Sequence, residues 1–335
     1  MLKTKKNLKP IFLHSSWRTS STYLWNKYRS HSYITAYYEP FHEILNTISH
    51  SEVELLTHKS WESKHPELVR PYFSEYLPLI QIRGVEGFKN DFSYSNFFVN
   101  NEELIEQKFY IERLLDSAIA SQQKPVLGFC RSTGRTRWMR EMFPNAVHIL
   151  LMRNPIQQWL SGYQQKIKND NDAFIIIYLL LMGLVKENKY IICVRNYYGI
   201  PQLNSNDMSE LMNFYRQQKL SDEILYEIFL HIYIFTMIES YNQVDLVIDI
   251  DKLSKSKLYN KYIGLLQRSL TGVNLDFSDA SVNYTDHMSF NIDFNQCNIN
   301  VIEFFSKWLS RNRREIHATN KEIKNIIKII NYCIT

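Results

Sequence analysis

Arg18 is followed by four hydroxyl residues in succession, Thr19, Ser20, Ser21 and Thr22. A guanidinium grips a phosphate or sulfonate as a two-pronged fork, and the hydroxyls add shorter-range hydrogen bonds. If a helix starts within this stretch, its first N–H groups have no internal acceptor and its dipole presents partial positive charge. A tetrahedral anion is the ligand such a set asks for. A second arginine and serine, Arg153 and Ser161, stand eight residues apart further along. Glu39, His42 and Glu43 are the groups nearest the first set in sequence that can take a proton from a hydroxyl, the step a weak oxygen nucleophile needs.

These residues need a frame that brings them to one place. Ile11, Phe12 and Leu13 form the short apolar run of a buried parallel strand, which His14 to Ser20 cannot extend. The segment Ile11 to Arg29 therefore reads as strand, anion-binding loop and helix; the alternative is a plain N-cap region with a surface arginine. Ala146 to Met152 is a second buried strand, and Asn154-Pro155 supplies an N-cap and first-turn proline for a helix running to about Lys168. Arg153 thus ends a strand and Ser161 lies about two turns into the next helix. Ser32 to Tyr38 is β-rich and stops at Glu39-Pro40, so Glu39 also ends a strand. In open α/β sheets ligands bind at the carboxyl ends of the strands, which is where all three segments lead.

In this form the chain resembles the sulfotransferases that use 3′-phosphoadenosine 5′-phosphosulfate (PAPS). SSWRTSST is similar to their 5′-phosphosulfate loop as found in carbohydrate sulfotransferases, which carry arginine where the cytosolic enzymes carry lysine; Ser20 stands where the family usually has glycine. RNPIQQWLS is similar to their 3′-phosphate motif, and the resemblance covers about residues 9 to 45 and 124 to 165. It implies a single α/β domain, a parallel sheet of P-loop nucleotide-binding (sulfotransferase-like) type with large helical insertions. It also implies sulfuryl transfer from PAPS, without metal, to a hydroxyl of a carbohydrate or glycan-like metabolite. Arg18 and Thr19 to Thr22 would hold the phosphosulfate, and Arg153 and Ser161 the 3′-phosphate. Glu39 is the expected general base, with His42 next in line.

The rest of the chain fills in around this. An aromatic and helical segment is expected from His42 to about 105, with Trp61, Tyr72, Phe73, Tyr76, Phe88 and a Gly84/Gly87 turn. Lys124 to Cys130 reads as a strand and Gly134 to about Pro144 as a helix. Of the arginines around that turn, Arg131 follows a strand end directly and is an anion candidate, whereas Arg137 and Arg140 read as a solvated, ion-paired helix face. Helical insertions are expected over about 42–120 and 163–243, a strand over Val244 to Ile250, and a C-terminal helical region over about 300–330.

Composition narrows the classes further. A formal charge of +5 suits an anionic ligand but forms no basic stripe, so nucleic acid is not an expected partner. With nine glycines there is neither GxGxxG nor GxxxxGK[ST], and no GxSxG. His42-Glu43 begins like HExxH, but Asn46 takes the second histidine's place. Cys130, Cys193, Cys297 and Cys333 are scattered and read as reduced thiols. The basic Met1 to Pro10 leads into only three apolar residues, far short of a signal peptide, and Ala173 to Val185 is too short to span a bilayer. A cytoplasmic location and no transmembrane segment are expected. The rival enzyme class is a nucleotide kinase with a degenerate phosphate loop and magnesium on Asp249 or Asp251; the rival outside catalysis is a PAP- or carbohydrate-binding module.

Overall fold

A computed structural model of the protein describes residues 8–56, 68–99, 104–205, 207–282 and 290–332; Trp61 and Cys333 lie outside them. The chain begins with β1 (Ile11–His14), α1 (Ser21–Arg29) and β2 (Ile34–Tyr38). A long connection holding the short α2 (His50–Leu55) then leads to α3 (Ile105–Ala120), β3 (Lys124–Phe129), α4 (Thr136–Met142) and β4 (Val147–Met152). Five helices follow, α5 (Pro155–Asn169), α6 (Ala173–Leu184), α7 (Lys189–Tyr197), α8 (Met208–Arg216) and α9 (Asp222–Tyr241). The chain then runs through β5 (Leu246–Asp249), α10 (Ile250–Lys255), α11 (Lys257–Thr271), α12 (Phe294–Asn312) and α13 (Asn320–Tyr332).

The strands form one fully parallel sheet in the order β2-β3-β1-β4-β5. The chain leaves β1 toward β2 on one side, and leaves β4, its neighbour, toward β5 on the other. A crevice therefore opens between the carboxyl ends of β1 and β4, the topological switch point at which open α/β sheets take ligands. β4 alternates as a doubly covered strand must: Leu150 and Met152 face the helical layer of α5, α6, α9 and α12, and Val147, Ile149 and Leu151 face the opposite core. β1 runs one residue beyond its apolar stretch. His14 is fully buried and held between Ser132 Oγ and His148 Nδ1, each at 2.9 Å, and burial keeps its imidazole well below its ordinary pKa.

The helix that carries the anion loop is pinned by its aromatic face. Trp25 is buried, donates from Nε1 to Ala36 O at 2.9 Å and stacks on Tyr72. It fits because β3 has Gly128 beneath it, where a Cβ would meet Trp25 Cδ1 at 3.1 Å. At the other end of α1, Arg29 forms a buried two-pronged pair with Glu75, 2.7 and 3.0 Å, a cation placed at the negative end of the helix dipole.

Among its described residues, the expected helical segment after Glu39 is largely not helical. Besides α2 it contains the 3₁₀ turns Glu43–Asn46, Ser74–Leu79 and Asn90–Phe92, because its aromatics cluster without helical spacing and pack individually. Tyr72, Phe73, Tyr76 and Phe88 are all buried in the core that also takes in one face of the sheet. The expected helices over 163–243 and 300–330 are present. α9 is long and apolar enough to cross a membrane by length and composition, yet 83% of that stretch is buried inside the protein, as a helix apolar on all sides must be in a large core.

Candidate functional site

The β1–α1 loop is clamped from several sides. Ser15 Oγ donates to Phe129 O at 2.6 Å, Gln158 Nε2 of α5 donates to Trp17 O at 2.8 Å, and Ser16 Oγ meets Tyr178 OH of α6 at 3.1 Å. The hydroxyl of Thr19 is spent inside the loop, donating to Ser16 O at 2.6 Å, so its side chain does not face the ligand space as expected. The first backbone bond of the helix runs from Leu24 N–H to Ser20 O, which leaves the N–H groups of Ser21 to Tyr23 without an acceptor in α1 itself. Ser20 is the N-cap in left-handed conformation, φ 59°, and its side chain caps nothing. That is the conformation glycine adopts at least cost.

Arg18 points at α5. Its Nε and Nη2 donate to Ser161 Oγ at 3.3 and 3.2 Å, while Arg153 Nη1 donates to Arg18 O at 3.0 Å. Asn154 caps α5 by accepting from Gln157 N at 3.1 Å, and Pro155 fills the first turn, so the strand-to-helix reading of this segment holds in detail. Arg18, Arg153 and Ser161 are thereby brought to one spot at the β1/β4 crevice. No carboxylate among the described residues pairs with Arg18; burial and the neighbouring Arg153 charge both push its guanidinium below the usual pKa. Arg153 has Asp251 Oδ1 at 3.9 Å. Asp251 also accepts from Asn154 N at 2.6 Å, and Asp249 caps α10 through Lys252 N at 3.0 Å, so both acids of the kinase alternative serve as cap and ion-pair partner.

Glu39 ends β2 and is buried. Its N–H continues the ladder to Gly128 O at 2.8 Å, and then the backbone turns left-handed at φ 46°. Its carboxylate meets Arg131 Nη1 at 2.6 Å, and Arg131 Nη2 meets Glu43 Oε2 at 2.8 Å and Tyr94 OH at 3.0 Å. Arg131 lies between the Trp17 and Tyr94 rings, 5.5 and 5.1 Å from their centres. This corrects the expectation that Arg131 receives an external anion: two carboxylates already neutralise it. Burial raises the Glu39 pKa, and Arg131 and the Cys130 hydrogen bonds pull against that rise. For Glu43 burial acts in the same upward direction, but Arg131, His42 and Tyr94 outweigh it and hold the carboxyl well below the usual range. His42 caps the following turn, its Nδ1 accepting from Ile44 N at 3.2 Å. Arg137 and Arg140 pair with Glu141 and Asp245 on the helix face. Arg135 is buried over the Phe41 ring and donates to Gln107 at 2.8 Å.

All of the expected site residues except Thr19 line one cavity of about 740 Å³: Arg18, Ser20, Ser21, Thr22, Arg153 and Ser161 on the anion side, Glu39 and His42 on the other. Of the five non-glycine residues with positive φ among the described residues, Arg18, Ser20 and Glu39 line it, and backbone strain concentrated in this way marks functional sites. Sequence reading missed Trp17, Tyr94 and Gln158. Gln158 was within reach, since it lies three residues before Ser161 on the same helical face; Tyr94 gave no signal.

No family model matches the chain, and no curated protein does. Among solved structures it is similar to a sulfotransferase from Alicyclobacillus acidocaldarius, with a TM-score of 0.33 and 14% identity over 94% of this chain and 99% of that one.

Proposed function

We propose that the chain is a sulfotransferase that moves a sulfuryl group from PAPS to an acceptor hydroxyl, on a carbohydrate or glycan-like molecule, in the cytoplasm and without metal. The observation that supports this best is the meeting of Arg18, Arg153 and Ser161 at the switch point, with Arg18 lacking a carboxylate partner among the described residues. A half-buried cation beside another cation is costly unless an anion joins it. Two anion-binding groups side by side suit a donor with two phosphates. The P-loop-like reading of the sheet rests on the same loop-to-helix geometry.

When bound, PAPS supplies an activated sulfuryl group whose sulfur–oxygen bond to phosphate breaks as the acceptor oxygen attacks in line. Arg18 and the N–H groups of the α1 N-terminus neutralise the charge gathering on the departing phosphate, the kind of preorganised stabilisation that dominates such transfers. Arg153 and Ser161 orient the 3′-phosphate. Glu39 takes the acceptor proton on the carboxylate, while Arg131 fixes its direction; His42 lines the same wall. Arg131 holds Glu39 and Glu43, and Ser161 holds Arg18, so these side chains are oriented before the reaction.

The test is a thermal-shift series with PAP, AMP, ADP and ATP, with and without magnesium. Stabilisation by PAP well above AMP and indifferent to EDTA is expected. Equal effects of PAP and AMP overturn the assignment, and stabilisation by ATP that needs magnesium makes the protein a kinase.

A further inference from the structure

We infer that α11 is a docking face for an anionic lipid surface, with Leu258, Tyr262 and Leu265 entering the headgroup layer and Lys257, Lys261 and Arg268 meeting its charge. The inference is independent of the reaction in the cavity, to whose walls α11 adds no residue. Between Asp251 and Asp276 the sequence has no acid but holds Lys252, Lys255, Lys257, Lys261 and Arg268. Those five cations equal the formal excess of the whole chain, +5, so the remainder is balanced. No basic stripe stands out in the sequence; folding makes a short one. Lys257, Lys261 and Arg268 fall within about 40° of one another around the helix axis. All three are exposed and no carboxylate among the described residues pairs with them, whereas Lys252 is paired with Asp249 at 3.3 Å.

Leu258, Tyr262 and Leu265 follow one another at i, i+4 and i+7 beside this row and are 79%, 56% and 68% exposed. Isolated exposed leucines are ordinary, but these share one face over two turns and form a patch. The helix is otherwise well packed. On its inner side Ile263, Gln267 and Thr271 are buried, and Gln267 Nε2 donates to Tyr28 OH at 2.8 Å. Ser256 caps its start by accepting from Tyr259 N at 3.2 Å, and Gly272 ends it at φ 71°. The face is thus formed before anything docks, and no folding entropy is spent on binding.

The two kinds of side chain decide the partner. A second copy of the chain would set cations against cations. A nucleic acid would answer the cations and leave the leucines uncovered. Only the outer half of α11 is free, so a protein groove that grips a helix from both sides is shut out, while a flat surface reaches the whole face. An anionic bilayer satisfies both: its headgroups attract the basic row, and the leucines and tyrosine sink to the acyl boundary.

The experiment is co-sedimentation of the full chain with vesicles of phosphatidylcholine, alone or with about 30% phosphatidylserine. Binding should need the phosphatidylserine and disappear at about 0.5 M salt. Lys257→Gln with Lys261→Gln, and separately Leu258→Ser with Leu265→Ser, should each weaken it about tenfold or more. These positions are exposed, so the melting temperature should stay within about 2 °C. Absence of binding to the mixed vesicles, or binding that survives both double variants, overturns the inference. So does tighter binding to a DNA duplex or to polyglutamate than to the vesicles, or self-association in sedimentation velocity that the leucine variant abolishes.

Discussion

Arg153 donates from Nη1 to the main-chain carbonyl of Arg18 at 3.0 Å, across 135 residues of sequence. The loop that would hold one phosphate is thus oriented by the arginine that would hold the other. Arg18 in turn donates to Ser161 Oγ at 3.3 and 3.2 Å, so hydrogen bonds in both directions tie the loop to the segment after β4.

Arg153→Ala removes a charge-assisted contact of about 1.5 to 3 kcal/mol. PAP affinity should fall roughly ten- to a hundredfold, and the loss should be smaller for AMP. A calorimetric titration in which both ligands weaken equally, or neither does, would remove Arg153 from the 3′-phosphate position.

Arg18→Met separates function from stability. It relieves the repulsion between two guanidiniums and keeps much of the side-chain volume, so the melting temperature of the ligand-free protein should hold or rise by about 1 to 3 °C. PAP should no longer stabilise the variant. A drop of several degrees would mean that Arg18 has a structural task that the Ser161 contact alone does not reveal.

Glu39→Gln keeps the size and hydrogen-bonding capacity of the side chain and removes its basicity. Turnover should fall about a hundred- to ten-thousandfold with PAP affinity nearly unchanged. Because Glu39 is ion-paired with Arg131, the competing outcome is concrete: early melting with turnover retained at saturating donor would make Glu39 a loop anchor and pass the base to His42.

The Arg131 pair also sets a pH dependence. A base works deprotonated, so activity rises as pH climbs through the Glu39 pKa, which burial has already raised. Arg131 opposes that rise. Arg131→Gln should therefore move the acid limb of kcat/KM upward by about 1 to 3 pH units. An unmoved limb would show that a group other than Glu39 titrates there.

Ser20→Gly tests the strained loop. A left-handed residue with a side chain costs about 1 to 2 kcal/mol, offset in part by the entropy glycine loses on folding. The melting temperature should rise slightly with PAP binding preserved, whereas Ser20→Val should lower it. The reverse order in a melting series would show that the φ of 59° carries little strain.

The frame of the site was legible because buried parallel strands are continuous apolar runs, and β1 and β4 are such runs ending at Arg- and Ser-bearing loops. The helix after β4 was legible from Asn154 and Pro155. What was hidden depends on tertiary contact. Arg131 finds Glu39 across 92 residues and Tyr94 across 37, and nothing local separates an arginine awaiting an anion from one already paired. The left-handed turns at Arg18 and Glu39 are imposed from outside, since neither side chain favours them. The described residues of 43–99 misled because aromatic richness resembles helical burial when its period is not followed.

The sheet order bears on how the protein is made. Ile11, at the start of β1, pairs with Val126 and Val147, so β1 has no neighbour until more than a hundred residues have followed it. At about 5 to 20 residues per second that is roughly 6 to 23 s during which an apolar strand waits unpaired. The anion loop cannot take its final shape before Arg153 arrives. Truncated nascent chains ending ahead of β4 should need chaperone cover and bind no nucleotide, whereas chains that extend past α5 have every strand that β1 pairs with.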